Sequence, residues 1–212
     1  MQILWLDEVA STQEWLKERY KKGEVAPPFA VLAKRQTNGT GSRGNAWIGK
    51  EGNLFLSFLI ERSKLPSDLR PESASIYFAW LLKEVLTQRG SQCWIKWPND
   101  FYLHETKIGG MITTMLKDSL LCGVGLNIVE APKGFGKLDI EISQKELAKL
   151  FLENVEKGVS WKQVFSKYSV EFYKNRSFYT HMQNNKRVSM QYASLEEDGS
   201  ITINGERIYS LR

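Results

Sequence analysis

Cysteine is scarce: Cys93 and Cys122 are the only two in 212 residues. Alone they build neither a disulfide framework nor a four-ligand zinc site. Histidine is as rare, with only His104 and His181. No apolar run reaches the length that crosses a bilayer, so no membrane partner is expected. The opening residues, Met1-Gln2-Ile3-Leu4-Trp5-Leu6-Asp7-Glu8, lack a basic stretch followed by an apolar core and do not read as a secretory signal. A reducing cytoplasm is the expected compartment. The charge excess is small, 29 Lys+Arg against 24 Asp+Glu, a net +5 spread along the chain. Its densest cluster, Lys17 to Lys22, lies on an expected helix and reads as a solvated face. No zinc-finger or RNA-binding aromatic signature is present, so no nucleic-acid partner is expected. Sixteen Gly and six Pro, without a period, exclude a fibrous chain. No repeat or low-complexity tract is visible.

What is there is ordinary globular usage, 42% apolar and 25% charged. The length suits one domain or one domain with a small appendage. Ser11 and Glu14 have capping-box spacing at the start of a helix that runs to about Lys22, and Gly23 suits its end. Phe29 to Ala33 and Leu54 to Ile60 read as buried strands, separated by a polar, glycine-rich stretch from Gln36 to Asn53. Ala74 to Arg89 reads as a helix with Gly90 beyond its end. Short strands follow: Cys93 to Trp97, two that bracket a turn at His104-Glu105-Thr106, and Leu120 to Ile128. Their succession favours antiparallel pairing. Helices are expected near Gln144–Lys157 and Trp161–Tyr173. The tail from Arg187 to Leu211 returns to strand character, with Asn204-Gly205 the strongest hairpin signal. The class is α+β: a mixed or antiparallel sheet with packed helices and a small β appendage from about residue 180.

Four segments could carry chemistry. Gly39-Thr40-Gly41-Ser42-Arg43-Gly44 formally matches G-x-G-x-x-G, but Asn45-Ala46-Trp47 after it is a poor helix, so the dinucleotide reading is rejected. Such a loop can still wrap an anion with backbone N–H groups, although an ordinary surface loop is the commoner case. In Lys96-Trp97-Pro98-Asn99-Asp100, Pro98 stops a strand and Asn99-Asp100 favour a turn. A Lys96–Asp100 salt bridge is the plain reading of its charges. Lys107-Ile108-Gly109-Gly110 sets a cation beside adjacent glycines, which often mark close approach by a ligand or another backbone. In Gly123-Val124-Gly125-Leu126-Asn127, Gly123 and Gly125 share one face of a strand, leaving it bare for a flat ligand or a packed helix.

Taken in this order, the segments resemble the catalytic domain of the biotin protein ligases. That family shows a glycine/arginine-rich loop ending in Trp, then K-W-P-N-D, then Lys near two small residues, then G-x-G-x-N. Ser11-Thr12 also matches the Ser-Thr that opens its first helix. The resemblance covers about residues 7 to 130. It implies a class II synthetase-like catalytic domain over residues 1–179 and a reduced, SH3-like β domain over 180–212.

The resemblance further implies an enzyme that joins biotin and ATP into biotinyl-5′-adenylate and then moves biotin to one lysine of a biotin carboxyl carrier domain. Ser11, Thr12 and Gln36 would bond the ureido head of biotin. The backbone of Gly39, Gly41 and Gly44 would close over biotin and the adenylate, with Arg43 on phosphate or carboxylate. Lys107 would sit between the biotin carboxylate and the α-phosphate, offsetting charge as one anion attacks another. Trp47 would wall the adenine, Asn127 would read its edge, and Gly123 and Gly125 would let biotin lie on bare strand. Lys96, Asn99 and Asp100 would line the ATP side, Asp100 also serving Mg²⁺ as a hard oxygen ligand.

Two departures stand out. Thr40, Ser42 and Asn45 occupy positions where the family loop is richer in arginine, which leaves Arg43 alone there. Only ten residues precede Ser11, too few for a DNA-reading helix, so a ligase without a repressor role is expected. The nearest alternative is a lipoate or octanoate ligase or transferase of the same fold, but its S-G-G-G run and histidine-bearing segment are missing. A non-catalytic nucleotide-binding module is a second alternative, and a reactive cysteine a third. A homodimer through a sheet edge is left open.

Overall fold

The computed structural model describes residues 1–41, 46–47, 49–181 and 186–209. The chain opens with β1 (Gln2–Val9) and α1 (Thr12–Lys21), followed by β2 (Phe29–Gln36), the short β3 (Gly39–Thr40) and β4 (Ala46–Trp47), and β5 (Leu54–Glu61). Helix α2 (Ala74–Gln88) leads to β6 (Trp94–Lys96), β7 (Asp100–Leu103), β8 (Thr106–Leu116) and β9 (Ser119–Leu126). Then come α3 (Gln144–Glu156), α4 (Trp161–Glu171), β10 (Tyr179–His181), β11 (Arg187–Ser189), β12 (Ser194–Leu195), β13 (Ile201–Ile203) and β14 (Glu206–Ile208).

Seven strands form one sheet in the order β1-β2-β5-β9-β8-β7-β6. Only β1 and β2 run parallel, and α1 is the crossover that a parallel pair needs. The remaining neighbours are antiparallel, so the sheet is mixed, as expected. β1 itself was not foreseen. It is an edge strand with no fully buried residue, and Asp7-Glu8 break its apolar alternation, so its period-two signal is weak. Helix α1 has the anticipated ends. The Ser11 hydroxyl accepts from the Glu14 N–H, and Gly23 at φ +73° supports paired bonds from Gly23 to Tyr20 and from Glu24 to Arg19.

The strands alternate between two unlike faces. Leu32, Leu56, Phe58 and Cys122 point to the layer formed by α2, α3 and α4 and lie in the main apolar cluster. Their neighbours Val31, Leu59 and Leu121 point the other way and pack with Leu16 of α1 in a small separate cluster. Along that second face the apolar residues soon give out. Ser57 follows Leu59, and Gly123 and Gly125 follow Leu121, at the same period of two. Ile112 and Gly110 of β8 stand beside those glycines in register. The result is a sheet surface with almost no side chains, next to the start of α1.

Among its described residues the tail does not build a core of its own. Met190, Ala193, Ile201, Ile203 and Ile208 are buried in the main cluster. Tyr179 pairs with Ser189, so a division at residue 180 would cut a ladder. Trp97, fully buried, pins the tail by donating from Nε1 to the Gly199 carbonyl at 2.8 Å. Trp161 Nε1 donates to the Glu197 carbonyl at 2.8 Å, and Ser73 Oγ to the Asp198 carbonyl at 2.6 Å. Burial acts to raise the Asp198 carboxyl, but bonds from Ser200 and the Arg207 guanidinium outweigh it and hold the group below its ordinary value. Asn204 and Gly205 both take positive φ, 52° and 79°, in the tight hairpin turn that their sequence signals. Among the described residues, no helix is long and apolar enough to cross a membrane.

Candidate active site

A cavity of about 350 Å³ opens on the bare part of the sheet, between the start of α1, the β3–β4 segment and β8. Among the described residues this β3–β4 segment contains no helix: Gly39 pairs with Trp47 and Thr40 with Ala46. The dinucleotide reading is therefore absent here. Gly41 and Thr40 line the cavity wall, so a position that departs from the arginine-rich pattern still faces the site. Arg43 and Gly44, and with them Ser42 and Asn45, lie outside the described residues.

One end of the cavity is polar and buried. Thr12 donates from its backbone N–H to Gln36 Oε1 at 2.7 Å and from its hydroxyl to the same oxygen at 2.9 Å. The Thr12 hydroxyl also lies 2.9 Å from that of Ser57. Ser11 caps α1 and lines the same end. The Gln36 amide nitrogen lies against Gly39, where a Cβ would come within 2.6 Å of it. A Cβ on Gly123 would come within 2.6 Å of Gln13 Oε1, so the bare strand is partly covered by the first turn of α1. Gln13 and Ser57 were not singled out from sequence. Neither sits in a motif, and only the fold brings them to Gly123.

The other end carries charge. Lys107 Nζ pairs with Asp100 Oδ1 at 2.6 Å, each side chain about one quarter exposed, and Gly110 leaves the room they occupy. Asp100 thus pairs with Lys107, whereas the sequence suggests Lys96. Lys96 reaches over the Tyr102 ring, 5.8 Å from its centroid, and is not among the residues that line the cavity. Burial, helped by Asp100, raises the Tyr102 phenol to about 12. Trp47 lies on Gly125, where a Cβ would sit 2.5 Å from its indole, and its buried Nε1 has no hydrogen-bond partner among the described residues. Phe135 meets Trp47 edge to face at 6.3 Å and completes an aromatic wall that the sequence reading did not include.

Two expected ligand contacts are placed elsewhere. Asn99 lies outside the lining and donates its side-chain amide to the Met111 carbonyl, while its own carbonyl accepts from the Met111 N–H. It thereby orders the β6–β7 turn that presents Asp100. Asn127, expected at an adenine edge, is fully buried and is not among the residues that line the cavity. Its amide donates to the Gly136 carbonyl at 3.0 Å and accepts from Asn53 at 3.4 Å. Asn53, also fully buried, accepts from the N–H groups of Ile128, Val129 and Glu130 and donates to the Glu130 carbonyl. Gly136 in turn donates to the Lys107 carbonyl at 2.9 Å. The two asparagines thus brace the loop that carries Phe135 and tie it to the strand that carries Lys107.

Both cysteines are buried. Burial pushes the Cys93 thiol up to about 12 and that of Cys122 well above its ordinary value, so neither offers a thiolate at neutral pH. Among the described residues no group of three or more His, Cys, Asp or Glu could hold a metal ion. His104 is exposed in its turn, as expected.

Comparisons with known proteins bear on the family and the fold. The bifunctional ligase/repressor BirA of Bacillus subtilis is 28% identical over 138 residues, which is 63% of this chain and 42% of that protein. The chain thus spans about two fifths of the length of that curated relative. The crystal structure of biotin acetyl coenzyme A carboxylase synthetase from Helicobacter pylori with bound biotinylated ATP superposes with a TM-score of 0.93 at 39% identity, covering 98% of this chain and 99% of that one. Biotin protein ligase from Aquifex aeolicus in complex with biotin and ATP shares the fold, with a TM-score of 0.78 at 24% identity over 100% of this chain and 96% of that one. The family model described as Biotin/lipoate A/B protein ligase family matches residues 5–128, more than half of the chain, and the chain belongs to that family.

Proposed function

We propose that this chain is a biotin–protein ligase. It forms biotinyl-5′-adenylate and pyrophosphate from biotin and ATP, then transfers the biotinyl group to a lysine of a carboxylase's biotin carrier domain. The observation that carries the reading is the two-ended cavity, with a buried hydroxyl and amide cluster at one end and the Lys107 ammonium at the other. A ligand with a neutral polar head and an anionic tail fits that polarity. The 39% identical Helicobacter pylori synthetase, whose crystal structure holds biotinylated ATP, supports the same assignment.

In this reading the ring of biotin lies on Gly123 and its head meets Gln36, Ser11 and Ser57. Thr12 acts mainly by holding Gln36. The carboxylate points to Lys107, whose charge lowers the repulsion between that carboxylate and the α-phosphate. As the carboxylate oxygen bonds to the α-phosphorus, the bond to pyrophosphate breaks, and the ammonium stabilises the charge on the oxygens between them. Trp47 and Phe135 wall the adenine side. Asn127, with Asn53, supports this wall from behind. Arg43 and the backbone of Gly41 and Gly44 are assigned to the phosphates on resemblance. In the second step the acceptor amine attacks the acyl carbon and AMP leaves.

Asp100 is a single carboxylate, and the described residues supply no ligand cluster around it, so the donor set suits Mg²⁺ only as a partner of nucleotide phosphates. Asp100 would then give the ion one hard oxygen. The tail from residue 180 is assigned to the ATP and acceptor side, and the cytoplasm is the assigned compartment.

The test is ATP–pyrophosphate exchange with Mg²⁺, run with biotin, lipoate or octanoate as the acid. Exchange with biotin is the expected result. Exchange with lipoate or octanoate and not biotin transfers the chain to the other branch of its family.

A further inference from the structure

The hydrogen bonds at the buried end of the cavity have a fixed direction. Thr12 N–H can only donate, so the Gln36 atom 2.7 Å away is the amide oxygen; the amide nitrogen lies toward Gly39, and Gln36 itself lines the cavity. The Thr12 hydroxyl is 2.9 Å from that same oxygen, which only accepts, so Thr12 spends its one proton there. The Ser57 hydroxyl, 2.9 Å from Thr12 Oγ1, must then be the donor in that pair. Ser57 is 1% exposed and its Oγ lies 3.4 Å from where a Cβ of Gly123 would stand, on the cavity floor. Its proton is committed, so only lone pairs are left for a ligand.

We infer that Ser57 is a specificity-determining residue whose hydroxyl, polarised through Thr12 and Gln36, accepts a hydrogen bond from a ring N–H of the bound acid. The inference rests on the proposed ligase reading and deepens it. Ser57 offers an acceptor and Gln36 Nε2 offers a donor, with the sense of each set by a backbone N–H. A cyclic urea, with N–H beside C=O, complements that pair. A dithiolane ring supplies neither group and leaves both buried and unpaired.

Equilibrium binding of biotin, its two ring N-methyl derivatives and lipoate tests this on the full chain and on the Ser57→Ala and Ser57→Cys variants. The parent protein is expected to bind one N-methyl isomer about ten- to a hundredfold more weakly than biotin, as expected for an acceptor left unpaired in a buried site. In Ser57→Ala, biotin weakens by a similar factor and the difference between the two isomers falls to within about threefold, the cost of a bond no longer available. Lipoate binding stays where it was. Ser57→Cys keeps the volume but is a weak acceptor, and is expected to behave like Ser57→Ala. A purely structural role would lower binding of all four acids together. That outcome, or unchanged isomer selectivity in both variants, overturns the inference while leaving the ligase reading intact. Failure of the parent protein to bind biotin overturns the ligase reading, and this inference with it.

Discussion

The two faces of the central sheet are made by the same strands and do opposite work. Toward α2, α3 and α4, residues such as Leu32, Leu56 and Phe58 fill one continuous core. Toward α1, the next residues along become Ser57, Gly123 and Gly125, and the surface is left open as a cavity. Strand alternation lets one segment carry stability on one side and recognition on the other. The glycines matter on the second face because of what lies close to them, Gln13 over Gly123 and Trp47 over Gly125.

If the faces are separable, substitutions on each should move different quantities. Phe58→Ala, on the packed face against Phe78 and Phe151, should cost about 3–5 kcal/mol of stability. Denaturant unfolding measures this, and biotin affinity per folded molecule should stay within about twofold, since less than 0.5 kcal/mol separates the faces if they are independent. A large affinity loss would show that the faces are coupled. Lys107→Ala, on the open face, should lower adenylate formation by about 10²–10³-fold. Its unfolding midpoint should change little, because the side chain is partly exposed. Asn53→Ala lies between the two cases. It leaves buried N–H groups of the 128–130 turn unpaired, which should cost about 1–3 kcal/mol. It should also raise the KM for ATP more than that for biotin, since the brace leads to Phe135 and Lys107 and not to Ser57.

The smallest effect is expected far from both faces, at Asp198. Its folded value is lowered, so the ionised form contributes stability that is fully present above the ordinary value of 3.8 and is lost as pH falls through the lower folded value. The stability difference between the parent protein and Asp198→Asn should therefore be constant near neutrality and shrink at acid pH. A difference that grew on acidification would remove Asp198 from the acid-side stability of the tail.

Much of the fold was legible because its elements announce themselves locally. The Ser11 cap, the Gly23 stop, the apolar run of β5 and the Asn204-Gly205 turn each depend on a few neighbouring residues. β1 was illegible because an edge strand buries too little to impose a clean alternation. In the site, motif residues separated into two kinds. Lys107 and Asp100 reach the cavity, but Trp97, Asn99 and Asn127 serve the scaffold that holds it. A motif records that a residue type is needed, and both roles need one.

Readable from local residue patterns are the α+β class, most of the strand and helix order, and a set of polar and glycine-rich segments whose order resembles a ligase family. Those follow from chain-local chemistry: caps, turns and hydrophobic period. Which of those side chains share a cavity depends on how the elements pack. Ser57, Gln13, Phe135 and Asn53 gain their places from partners 45 or more residues away in several cases, such as Thr12 for Ser57 and Asn127 for Asn53. The direction of the Ser57–Thr12–Gln36 bonds is likewise absent from any local pattern. It follows from one backbone N–H meeting one amide oxygen across 24 residues of chain, a contact that exists only once β1, α1 and β2 have packed.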